Sequence, residues 1–175
     1  MATLAGPYLV TAALLGAGGA SKLVRPATTA RALGTMGLPS SPALVRLGAG
    51  AELAVAAGAL AGGGRVFALL VAVSYLAFAA FVLVALRRGV PLASCGCFGV
   101  ADTPPTGVHV GINVAAATIA GAVAVGWAGA GGLPDIATME GSLLLRVTFV
   151  VLTAASAWLA YVALTELPKL QAARR

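Results

Sequence analysis

Long apolar runs alternate along the chain with short polar, glycine and proline punctuation, and each run has the length of a bilayer crossing. A hydrocarbon core of about 30 Å needs about 20 predominantly apolar residues per helix. Five segments satisfy that requirement, at about residues 4–20, 43–62, 66–86, 108–129 and 143–164. Lipid offers the backbone no hydrogen-bond partners, so each run must satisfy its own amides and carbonyls, and helices do so within a single segment. The pattern therefore predicts an all-α fold, a polytopic transmembrane helical bundle.

Between the first two runs the segment PATTARALGTMG, residues 26–37, opens on a proline suited to the first turn of a helix. A helix there brings Ala27, Ala30, Leu33 and Met36 near one face, as in a short helix lying along the membrane interface. Gly37, Pro39 and Pro42 punctuate the approach to the second run. The first run ends in small residues, as a cleaved signal peptide does, but no Lys or Arg precedes Lys22 to form a basic leader, so it is expected to remain as a span.

Composition narrows the class. Of the 175 residues, 60% are apolar, 23 more are glycine and only 9% are charged, against about 25% charged in an ordinary soluble domain. A soluble enzyme with a solvated surface is excluded, and so is a nucleic-acid-binding protein, despite the net charge of +6. The partner that composition does require is the lipid bilayer.

In such a chain basic residues report orientation. Lys22, Arg25, Arg31, Arg46, Arg87, Arg88, Lys169, Arg174 and Arg175 gather at one side of the five-span arrangement, and only Arg65 and Arg146 fall at the other. Cytoplasmic loops carry the excess of Lys and Arg. The bias predicts a multi-pass protein of the cell membrane with its carboxyl terminus, and the loop between the third and fourth runs, on the cytoplasmic side.

That loop carries both cysteines of the chain, Cys95 and Cys97, with Gly96 between them, in a stretch from residue 89 to 101 without a charge. A disulfide across so small a ring needs a sharp bend that brings the Cα atoms within about 7 Å, and Gly96 lowers the cost of the bend. It would staple little, because short loops lose little entropy on closure. A strained, accessible disulfide is more readily reduced than a structural one, so the pair suits thiol-disulfide exchange. Two thiolates also attract copper or zinc, but such a site needs further ligands from His109 or a partner, and no metal site is expected. Packed, unreactive thiols are the remaining reading.

The string Ser94-Cys95-Gly96-Cys97-Phe98-Gly99, after the third of several spans, resembles the MauE branch of the MauE/DoxX family of redox-associated membrane proteins. Three further features agree with it. Lys22 in GASKL, Glu52 in AGAELAVAAGAL and Asn113 in VGINVAAA resemble the family's lysine, glutamate and asparagine at the corresponding spans. Related sequences often carry a basic residue just before the asparagine, where this chain has Ile112. The resemblance implies a DoxX-like four-helix core over residues 1–130, with residues 131–175 adding a fifth span and a short basic tail. It also implies that the bundle handles disulfides or electrons for another protein, a thioredoxin-like or otherwise disulfide-containing partner, with Cys95 and Cys97 as the reacting pair and Phe98 and Gly99 shaping the loop. The MauE case implies a role in methylamine utilisation. Some bundles of this kind pass electrons from cysteines to quinone, but this chain has no CxxC, and quinone is only weakly implied as a cofactor.

Other polar groups within or beside the spans are candidates for support. An ionisable side chain at membrane depth faces the bundle interior and needs a partner. Glu52, about ten residues into its span, therefore calls for a cation, with Lys22 and Arg46 the candidates, for helix packing or for proton relay. His109 and Asn113 are four apart, hence on one helix face and close in sequence to the cysteines. An imidazole there could lower a thiol pKa or carry a proton, or be a neutral interfacial residue. Gly16, Gly18 and Gly19 lack the strand and lysine of a phosphate loop. Gly58 and Gly62, like Gly107 and Gly111, have the spacing of close helix contacts. Trp127, Trp158 and Tyr161 suit interface anchors or packing. A non-catalytic assembly subunit, with the cysteines used only in packing, is the competing function class.

Overall fold

The computed structural model describes residues 4–89, 105–129, 132–138 and 142–166. The cysteine pair and its neighbours Gly96, Phe98 and Gly99 lie outside the described residues. The elements are all helical: α1 (Ala5–Val24), α2 (Pro26–Thr35), α3 (Pro42–Leu60), α4 (Gly64–Arg87), α5 (Gly107–Ala124), the short α6 (Leu133–Thr138) and α7 (Leu143–Thr165). Four of them, α3, α4, α5 and α7, are long and apolar enough to cross a membrane. The first expected span is also a helix, of 20 residues, but it falls outside those four because glycines, Pro7 and Lys22 dilute its apolar character. The protein is a multi-pass membrane bundle, and α6 had no counterpart in the sequence pattern.

Two intimate helix pairs, α1 with α3 and α4 with α5, form the core, and α1 also touches α2, α4, α5 and α7. Tyr8, Ala12 and Leu15 of α1 meet Ala56 and Ala59 of α3, Val71 and Tyr75 of α4, and Ala117, Ala120 and Val123 of α5 in one buried cluster. Alanine dominates it because the close approach of backbones, rather than side-chain volume, holds helices together where lipid is as apolar as the core. Helices α1 and α3 approach closely. A Cβ on Gly19 would lie 2.9 Å from the carbonyl oxygen of Ala49, and one on Gly16 would lie 3.2 Å from the Ala56 side chain. Residue numbers fall along one helix as they rise along the other, so the pair is antiparallel.

The glycines singled out by spacing behave otherwise. Nothing faces Gly107 or Gly111, and Gly58 lies under the ring of Phe67 rather than under another helix backbone. Gly62 ends α3 with φ +83°, while the amide of Gly63 donates to the carbonyl of Gly58 at 2.9 Å. This left-handed cap turns the chain directly into α4.

The α2 helix forms as expected but is rotated: Pro26, Ala30 and Ala32 are its buried residues, whereas Ala27 is exposed. Ala32 packs with Ala85 near the end of α4, flanked by Met36 and Phe81. Small residues at this contact let the two helices approach closely. On the periphery, α7 buries only Leu164 and Thr165, and its Trp158 and Tyr161 rings stack on each other at 5.8 Å.

Candidate functional site

Polar side chains from α1, α3, α4 and α5 converge in the interior. Lys22, in the last turn of α1, directs its ammonium at both oxygens of Glu52, with Nζ–O distances of 2.7 and 2.6 Å. Their side chains are only 6% and 15% exposed, so this pair is shielded from water. Glu52 stands ten residues into α3, about 15 Å along the helix axis, close to half the depth of an about 30 Å hydrocarbon core. A lone charge at that depth is costly, and the position of α1 follows from it: the carboxylate needs a cation, and the glycine face of α1 lets Lys22 come close enough. Arg46, the other candidate partner, is exposed and takes no part.

Aromatic rings complete the ammonium's surroundings. Lys22 Nζ lies 4.4 Å from the ring centroid of Phe78, a cation–π contact strengthened by exclusion of water. Phe78 in turn meets Tyr75 edge to face at 6.0 Å, and the Tyr75 hydroxyl donates to the carbonyl of Thr11 at 2.7 Å. Neither ring was foreseen. A phenylalanine in an apolar span carries no signal of its own, although a tyrosine hydroxyl there does require a partner.

Beside the ion pair is a small cavity of about 30 Å³, lined by Lys22, Glu52, Tyr75, Phe78, Ile112 and Asn113 among others. On its other side Lys22, Glu52 and Phe78 also line a groove of about 380 Å³ between α2, α3 and α4. The ion pair and the Phe78 ring thus stand between groove and cavity. Ile112, where a basic residue was noted as common, presents an alkyl wall to the cavity.

Asn113 and His109 share a face of α5, as their spacing predicts, and both are buried. The Asn113 amide nitrogen donates to the His109 carbonyl at 2.7 Å, which leaves its amide oxygen for the cavity. His109 is fully buried rather than interfacial. Its Nδ1 accepts from the backbone amide of Thr106 at 3.3 Å, reaching back over the helix start as a capping side chain does. Because an amide can only donate, the neutral ring carries its proton on Nε2, and Nε2 has no hydrogen-bond partner among the described residues. His109 does not line the cavity. Lys22, Glu52 and Asn113 are thus brought together, and His109 stands one turn away towards the segment that contains the cysteines. Among the described residues no three His, Cys, Asp or Glu side chains group as metal ligands.

No curated protein and no solved structure matches the chain. The family model described as methylamine utilisation protein MauE matches residues 1–162, a span that takes in the helices bearing Lys22, Glu52, His109 and Asn113, the cysteine string and most of α7. The chain belongs to the MauE family.

Proposed function

We propose that the protein is a MauE-like membrane component of disulfide handling, in which Cys95 and Cys97 exchange a disulfide with a thioredoxin-like or maturation partner. The observation that carries this reading is the Cys95-Gly96-Cys97 string in a chain of the MauE family. The family's description links the protein to methylamine utilisation. In the exchange, one cysteine thiolate attacks a sulfur of the partner's disulfide and displaces the other sulfur as a thiolate. The second cysteine then attacks the mixed disulfide. The partner leaves as a dithiol with two electrons gained, and the pair is left as a disulfide; the reverse sequence oxidises the partner.

His109 supports this reading. It follows the cysteines closely in sequence, and its Nε2 proton lacks an acceptor among the described residues, so a thiolate would be a suitable acceptor. The charge bias places the cysteine loop on the cytoplasmic side, where reductant is available and stable disulfides are rare, favouring the direction in which electrons leave the cytoplasm. We assign α1 as a fifth crossing, since it runs antiparallel to α3 through the core.

Single Cys95→Ser and Cys97→Ser variants separate exchange from a packing role. The variant that lacks the resolving thiol is expected to accumulate a reductant-sensitive adduct with its partner, at normal levels in the membrane, on non-reducing gels. If neither variant forms an adduct and both support normal partner oxidation, the cysteines serve packing and the assembly-subunit reading replaces this one.

A further inference from the structure

We propose that the small cavity between Lys22, Glu52 and Asn113 is a water-binding, proton-exchange site in which one water molecule bridges the buried ion pair to the Asn113 carboxamide. The proposal goes beyond disulfide exchange and stands without it. Three observations carry it.

The first is size and chemistry. At about 30 Å³ the cavity exceeds the roughly 10–15 Å³ that a single bound water requires. A buried water also needs two to four polar partners, and an apolar cavity stays dry. Here the lining is largely apolar, but it includes Lys22, Glu52 and Asn113, whose polar ends are the partners a water would use.

The second is unused bonding capacity. Lys22 Nζ has three protons, and Glu52 supplies two short contacts. Each Glu52 oxygen keeps a further lone pair, and the Asn113 amide nitrogen is engaged with the His109 carbonyl. A water placed here accepts from Lys22 and donates to Glu52 and to the Asn113 oxygen, using bonding capacity that the protein contacts leave over.

The third is access. The groove between α2, α3 and α4 is lined by the same Lys22, Glu52 and Phe78 side chains, so the proposed exchange has a route to the pair besides the cavity. The titratable groups facing the cavity are Lys22 from α1, Glu52 from α3 and Tyr75 from α4, and α5 and α7 contribute only Ile112, Asn113, Ala116 and Leu164. The transfer is balanced within the site. Lys22 gives a proton to the water, the water gives one of its own to the Glu52 carboxylate, and the products are an amine, a carboxylic acid and the same water. The pair passes from two charges to none, and the return step restores it.

Lys22 and Lys169 are the only lysines in the chain, which makes lysine side-chain nitrogen a clean probe. Full-length protein in lipid nanodiscs, labelled with ¹⁵N at lysine Nζ and with Lys169→Arg to assign the remaining signal, is examined by water-edited solid-state NMR. The Lys22 ammonium is expected to show transfer from a bound water and exchange of its protons with deuterated solvent. Asn113→Leu removes the bridging oxygen and fills the space. It should abolish the water transfer and slow the exchange several-fold while the Lys22 signal stays that of an ion-paired ammonium. Ala116→Val, which fills the cavity from the next turn with Asn113 intact, should do the same and covers the case in which Asn113→Leu does not fold. A Lys22 ammonium without water contact in the parent protein, or contact and exchange unchanged in the filled variants, overturns the proposal.

Discussion

Lys22→Met is expected to destabilise the bundle by about 3–5 kcal/mol, the cost of leaving a buried charge without its partner. Glu52→Gln should cost a similar amount, for the mirror reason. The double variant, with both charges gone, should recover most of that loss, since replacing a whole buried pair is often close to neutral. Reversible unfolding of the four proteins in mixed micelles gives a double-mutant cycle, and a coupling energy well above the 0.3–0.5 kcal/mol or so expected of independent sites is the predicted outcome. Additive losses would mean that the 2.6 Å contact does not hold α1 against α3. Glu52 sits in mid-span, where a charge left without its partner is costly.

Gly19→Leu is the second large effect. The added Cβ would lie 2.9 Å from the Ala49 carbonyl oxygen, with the Glu52 and Leu53 side chains at 3.2 Å, and backbone cannot move aside as a flexible side chain can. Overpacking of this kind costs about 1–3 kcal/mol, occasionally more. Because the displaced turn also carries Lys22, the ion pair should lengthen along with it. Gly48→Leu is the matched comparison, since nothing lies within 4 Å of a Cβ at Gly48, and its melting temperature should stay near that of the parent. Equal melting temperatures for the two variants would contradict the close α1–α3 crossing.

Much of this was legible from residue order, and for definite reasons. Membrane spans announce themselves because every backbone amide in lipid must be paired within its own helix, so α3, α4, α5 and α7 could be read from apolar length alone. Glu52 was legible because a carboxylate in mid-span demands a cation, and the choice between Lys22 and Arg46 fell to geometry. What could not be read was contact. With 23 glycines, spacing alone could not tell Gly19, pressed against Ala49, from Gly107, which faces nothing. The rotation of α2 was equally hidden, because its register depends on where Ala85 of α4 lies. Phe78 gives no sign in sequence of the cation above its ring, and the burial of His109 follows from the packing of α5 rather than from its neighbours in sequence.

The polar residues have a common placement that ties the fold to the proposed chemistry. His109 opens α5 where the chain arrives from the cysteine segment, Asn113 lies one turn deeper, and the ion pair lies beyond it. The charges set against each other in mid-bilayer fix α1 against α3, and His109 caps the start of α5, so both sites also serve the fold.

The measurement that tests the account most directly is acid-quenched thiol trapping of the protein in its native membrane, resolving the state of Cys95 and Cys97 before and after mild reductant. The account predicts a disulfide between the two that opens on reduction and re-forms on oxidation. Two thiols that remain free through an oxidising challenge would contradict it.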